Sequence, residues 1–274
     1  MNETMAAASI NDLDSGALVA GRVIAVASGK GGVGKTVVAV TLAHALANLG
    51  QRVLLFDADL GLANVDIQLG LMPEADLSAV AAGRMSLLEA RLHHPDGDFD
   101  IVAGRSGSGA LAALSAASLE LLLEAVREMT LGYDKIILDL GAGLDRAVRR
   151  MAVFADTLLV VATEEPTSLT DSYAVLKLYA ADMRGVEGRM ADARLVINQA
   201  VSVAGGQRTT ATLQRACRTF LGQAPELAGI IRRDPHVRDA IRHQSLLLTR
   251  HPNSPAGEDI LAIARDGLHP HGTA

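Results

Sequence analysis

The stretch from Ser28 to Thr36 constrains this chain more than any other. It reads Ser-Gly-Lys-Gly-Gly-Val-Gly-Lys-Thr, so Gly29, Gly34, Lys35 and Thr36 satisfy the pattern G-x-x-x-x-G-K-[ST]. Backbone without Cβ atoms can curl successive N–H groups around an anion. Gly29, Lys30, Gly31, Gly32, Val33, Gly34, Lys35 and Thr36 are therefore the candidate phosphate cradle. Lys35 offers a point charge to the β- and γ-phosphates of a nucleotide, and Thr36 a hydroxyl to Mg²⁺. The helix that follows turns its positive end toward the same anion.

Such a loop needs a strand before it and a helix after it, and both are legible. Residues 22–27 are apolar and β-branched, fit for a buried parallel strand. Val38, Leu42, Ala45 and Leu49 then recur at helical spacing, and Gly50 is a stop signal. Further strands are expected at 52–57, 99–103, 134–140, 157–162, 193–198 and 227–231. Helices are expected near 76–91, 115–130, 144–153, 167–182, 207–221, 235–243 and 256–266. Strands alternating with helices imply an α/β fold, a mostly parallel sheet covered on both faces in three layers. One domain over 21–267 is expected, with a flexible tail at 1–20 and a short one at 268–274.

Composition narrows the function. Of 274 residues, 49% are hydrophobic and 20% charged, which predicts a sizeable core rather than disorder. A net charge of −6 argues against broad nucleic-acid binding. The lone Cys217 excludes an internal disulfide or a Cys-x-x-Cys metal site. No stretch approaches a membrane span, and the acidic amino terminus is unlike a signal peptide. The expected location is the cytoplasm, with transient peripheral membrane association left open.

Ligands of open parallel sheets bind beyond the carboxyl ends of the strands, so chemistry should recur there. After strand 52–57 come Asp57 and Asp59, one residue apart and hence pointing in similar directions. They suit a metal ion and a nucleophilic water; the alternative is that either merely caps the next turn. The strand at 134–140 runs into Asp139-Leu140-Gly141, an apolar run closing on a carboxylate that can reach Mg²⁺. Gly141 would let its N–H approach a γ-phosphate. Thr36, Asp57, Asp59 and Asp139 are the candidate metal set.

Lys30 sharpens the reading. The chain holds four lysines against twenty-one arginines, and two of the four lie in this loop. The sequence K-G-G-x-G-K-T resembles the deviant Walker A motif of the MinD/ParA family of dimerising ATPases. The resemblance runs from about Arg22 to about Ala264 and implies a P-loop NTPase fold of the MinD-like kind. It implies ATP/ADP and Mg²⁺ as cofactors and slow, regulatory ATP hydrolysis. Lys30 matches the lysine that crosses to the partner's nucleotide in an ATP-dependent homodimer. Asp59 matches the residue that positions the attacking water, which makes Asp59, Lys30 and Lys35 the catalytic candidates. Asn198 matches an adenine-recognising Asn, and its alternative is the start of a loop. Arg232 and Asp234 match a base-side Pro and Asp, with Arg in place of Pro.

The segments 57–66, 138–143, 163–171 and 237–244 look most like the FlhG/FleN (YlxH) group, with Glu165-Pro166-Thr167-Ser168-Leu169-Thr170-Asp171 especially similar. That group implies control of flagellar number or placement. Its implied partners are an FlhF-like GTPase, flagellar switch proteins or a transcription factor. A ParA- or MinD-type positioner acting on DNA or membrane is the alternative. Two departures stand out: residues 1–20 lack a D-Q-A-x-x-L-R motif, and helix 256–266 is not a basic amphipathic anchor. That helix is expected to pack on the domain. Arg208, Arg215 and Arg218 share a helix face expected to lie opposite Leu213, Ala216 and Phe220; solvation of that face is favoured over DNA contact. Arg232, Arg233, Arg238 and Arg242 form a denser basic region facing either ligand or partner.

Overall fold

The computed structural model describes residues 20–59, 61, 63–73, 77–81, 83–104, 115–184, 186 and 192–268. Of the expected tails at 1–20 and 268–274, only Ala20 and Leu268 lie among them. Eight strands form one sheet: β1 (Arg22–Ser28), β2 (Val53–Ala58), β3 (Leu92–His94), β4 (Phe99–Val102), β5 (Lys135–Ala142), β6 (Thr157–Ala162), β7 (Ala193–Ala200) and β8 (Glu226–Arg232). Their order is β3-β4-β2-β5-β1-β6-β7-β8, parallel throughout except for β3, which runs antiparallel to β4.

The period of two sorts each strand between two cores. Val23, Ala25, Leu54, Phe56, Ile136, Leu138, Leu158 and Val160 face one side. Ile24, Val26, Val53, Leu55, Ile137, Leu159 and Val161 face the other. The first core is closed by α4 (Ala116–Met129), α5 (Arg146–Phe154), α6 (Pro166–Met183) and α7 (Val203–Leu221). The second is closed by α1 (Lys35–Ala47), α9 (Leu247–Arg250), α10 (Pro255–Ala262) and the π-helical turn Ile263–Gly267. Short helices α2 (Val65–Leu69), α3 (Leu77–Ala81) and α8 (Pro235–Arg242) complete the described elements. α1 is buried on nearly every side, from Val38 to Ala47, which is why its sequence is apolar all round rather than striped.

The expected strands and most expected helices are present, with informative differences. Strand β3 escapes the pattern because Leu92-His93-His94 has no apolar alternation; it forms by pairing with β4, His93 opposite Asp100. Among the described residues, the expected helix at 76–91 is helical only over α3. Gly83 adopts a left-handed φ of 66°, and Ser86 and Glu89 then bond each other's backbone in a separate turn, so helical spacing is not continued. α7 begins at Val203, not 207, because Ser202 caps it by accepting from the Gly205 N–H at 3.0 Å. Its buried stripe is Gly206, Thr209, Thr210, Leu213 and Cys217, which turns Phe220 outward, 73% exposed, against the edge of Tyr173. Arg208, Arg215 and Arg218 are exposed, as solvation of that face requires. α10 buries Ala256 and Ile260, followed by Ile263 and Ala264, so the last helix packs on the domain.

Candidate functional site

Three adjacent central strands deliver the site. β1 ends in the glycine-rich loop, β5 beside it carries Asp139 in its carboxyl-terminal half, and β2 beyond that carries Asp57 next to its last residue, directly across from Asp139 in register. The loop is braced from both sides. Ser28 Oγ donates to the Lys30 carbonyl at 2.9 Å, and Gly143 N–H to the Ser28 carbonyl at 3.0 Å. From β7, Asn198 Nδ2 donates to the Val33 carbonyl at 2.7 Å. Gly34 has φ 88°, and a Cβ there would come within 2.4 Å of Asn198 Nδ2, so the position requires glycine twice over. Gly29 lies against the Asp171 backbone, where a Cβ would approach within 2.4 Å.

Lys35 begins α1 with its Nζ 2.7 Å from Asp139 Oδ1, both side chains buried. Burial and the nearby Asp59 charge push the Asp139 carboxyl up, while Lys35 and Thr36 oppose them. The other oxygen, Oδ2, is buried with no hydrogen-bond partner. A buried carboxylate oxygen left without a donor, beside Thr36 and Asp57, is a hard-oxygen set that fits Mg²⁺.

Asp57 is fully buried, and its carboxyl is pushed up to about 7, first by burial and then by the Asp139 charge. It accepts from the N–H groups of Asn64 at 3.0 Å and Val65 at 3.1 Å through Oδ2, and of Asp59 at 3.2 Å through Oδ1. It therefore anchors the start of α2, the capping role the sequence left open. Asp59 accepts from the Gly61 N–H at 3.3 Å and sits over Gly141, whose missing Cβ would lie 3.3 Å from Asp59 Oδ1. Asp59, Gly141 and Asp139 are thus brought together beside the loop.

At the other end the candidates separate. The Asn198 amide is engaged with the loop and with the Gln199 N–H at 2.9 Å. The Arg232 guanidinium is fastened to Asp259 on α10, Nε to Oδ2 at 2.8 Å, rather than standing free to stack. Asp234 caps α8 by accepting from the His236 N–H at 2.9 Å, and it also accepts from Ser254 Oγ and Ala256 N–H. Burial raises the Asp234 carboxyl, but these donors outweigh it and hold it below the usual carboxylate range.

No motif in the sequence assigns a role to Glu165 or Thr167. They hold Lys30, whose Nζ donates to Glu165 Oε2 at 3.0 Å and Thr167 Oγ1 at 3.2 Å. The signal was the 163–171 segment after β6, one strand from the loop in the sheet.

A glycine loop between β1 and a buried helix, with two carboxylates and an orphaned oxygen on the neighbouring strands, defines a P-loop nucleotide-binding α/β protein. The family model of the CobQ/CobB/MinD/ParA nucleotide binding domain matches residues 24–247, and the chain belongs to that family. It is 39% identical over 244 residues to the antiactivator FleN of Pseudomonas aeruginosa, covering 89% of this chain and 85% of that one. It is 28% identical to the flagellum site-determining protein YlxH of Helicobacter pylori, covering 88% and 80%. Its fold is that of the cell division ATPase MinD of Pyrococcus furiosus, with a TM-score of 0.74 at 23% identity over 89% of this chain and 97% of that one.

Proposed function

We propose that this chain is an ATP-driven regulatory switch that binds Mg-ATP, pairs face to face with a second copy, and separates on hydrolysis. The observation that carries the reading is the Lys30–Lys35 loop set beside Asp57, Asp59 and Asp139 on adjoining strand ends. Loop amides, Lys35 and Thr36 hold the polyphosphate. Asp139, Asp57 and Thr36 would hold a metal ion, which would supply charge neutralisation on the phosphates. Asp59 orients the water whose oxygen bonds to the γ-phosphorus as the bond to the ADP oxygen breaks. Asn198, Arg232 and Asp234 line the base end. Lys30 turns from Glu165 toward the partner's nucleotide, so its contribution exists only in the dimer and ATP biases that state.

The biological role that similarity to FleN and YlxH supports is control of flagellar number or placement. The partner would be a transcription factor, a flagellar switch protein or an FlhF-like GTPase. The test is sedimentation velocity with ATP, using Asp59→Ala to hold turnover off. A dimer fraction that rises with ATP, and fails to rise in Lys30→Ala, is expected; one that ignores ATP sinks the switch. Co-sedimentation with DNA or anionic liposomes under ATP would instead favour a ParA- or MinD-type positioner.

A further inference from the structure

Beyond the base-end residue Asp234, unpaired positive charge and exposed apolar surface coincide where α2 meets α8. Arg238 and Arg242 lie one turn apart on α8, with Ile241 between them on the same side. Both arginines are exposed and have no ion-pair partner among the described residues. The acid between them, Asp239, is turned away, accepting from Arg250 Nε at 2.6 Å and meeting His251 Nε2 at 2.8 Å. Arg233, just before the helix, is exposed as well. The chain as a whole carries −6, so this is a local reversal of sign.

Gln244, at the end of α8, joins the two helices by donating from Nε2 to the Ile67 carbonyl at 3.1 Å. Beside that joint Ile67 is 57% exposed, Met72 95% and Ile241 38%. Three large apolar side chains left in water next to unpaired guanidiniums need an occupant with both chemistries. α2 itself hangs on Asp57 through the Asn64 and Val65 amides, so the surface is one short helix away from the nucleotide site.

We propose that the α2–α8 joint docks an acidic amphipathic segment of a partner protein, its apolar side chains on Ile67, Met72 and Ile241 and its carboxylates on Arg238 and Arg242. A membrane is a poorer match, because interfacial anchoring needs a broad apolar face and α8 has eight residues. A nucleic acid would leave Ile67 and Met72 unmatched and finds no aromatic side chain among these residues for stacking. The proposal adds a partner surface to the switch reading, and docking itself is measurable without nucleotide.

The experiment is fluorescence anisotropy with the full chain and a labelled peptide of about 15 residues, leucines at i, i+4, i+7 and glutamates elsewhere. Saturable binding is expected, weakened roughly tenfold or more by Arg238→Glu with Arg242→Glu. Ile67→Ser with Met72→Ser should weaken it about fivefold through lost apolar contact. Arg215→Glu with Arg218→Glu, on α7, should leave it unchanged. Binding that is absent, or equal in all variants, overturns the proposal. So does an α8 reversal that spares the peptide but abolishes sedimentation with phosphatidylglycerol vesicles, binding to duplex DNA, or self-association. ATP-analogue affinity is measured in parallel: a chain that takes the peptide but no nucleotide defeats the switch reading and leaves the docking surface standing.

Discussion

Lys35 and Asp139 form the buried ion pair at the centre of the site, and their fates are linked. Lys35→Met leaves a buried carboxyl facing Asp57 without its counter-ion. The cost should be about 3 kcal/mol in urea unfolding without added nucleotide. Adding Asp139→Asn should recover most of it, since no buried charge then lacks a partner; costs that simply add would show the pair to be uncoupled. His44 is a second residue with a stake in stability. It is buried on α1, its imidazole Nδ1 has no hydrogen-bond partner, and its pKa is lowered to about 4 by burial and then by His94. The fold therefore favours the neutral ring. That stability is complete above the ordinary value of 6.5 and drains away as pH falls from there toward 4. The loss should reach about 3 kcal/mol by urea midpoints, and His44→Gln should flatten the slope in that window. An unchanged slope would acquit His44. His94, also lowered chiefly by burial, would leave a residual slope in the variant.

At the scale of elements, the short helices are fixed by caps more than by propensity. Asp234 shows this: one carboxylate ties α8 to Ser254 and Ala256 at the head of α10. Asp234→Ala should cost about 2–3 kcal/mol, or roughly 5 °C in melting temperature. If Asp234 served the base alone, nucleotide affinity would fall with the melting temperature unmoved. The central strands and α1 were readable in the sequence because each is a long apolar run whose neighbours cannot change its fate. β3, α2 and α9 were not, because three to five residues carry no periodicity and exist through a partner: β4 for β3, Asp57 for α2, the second core for α9. Phe220 faces away from its expected side for the same reason: helical spacing gives two candidate faces, and only packing on α6 and β7 chooses the one with Leu213 and Cys217.

On the scale of the whole molecule, the lysine expected to serve a second copy is held at home. Lys30 bonds Glu165 and Thr167 across the top of the sheet, and both ion-pair members are substantially exposed. An exposed pair contributes at most about 1 kcal/mol. Each of two copies gives up that pair, so Glu165→Gln should tighten ATP-dependent dimerisation by no more than about thirtyfold, with the difference fading at high salt. Sedimentation equilibrium would show it, and a larger gain would mean that Glu165 does something besides holding Lys30. Among the described residues no helix is long and apolar enough to cross a membrane.

The loop from Ser28 to Thr36, the carboxylates at strand ends and the alternation of strand with helix were written in the sequence, because local spacing and residue chemistry alone set them. What those side chains do to one another was decided in three dimensions. The register of β2 against β5 placed Asp57 beside Asp139, the neighbouring strands aimed Asn198 and Glu165 at the loop, and α10 took Arg232 for Asp259. A sequence encodes which groups arrive at the ends of strands. Only strand order and register decide which of them meet, because those contacts join residues far apart along the chain.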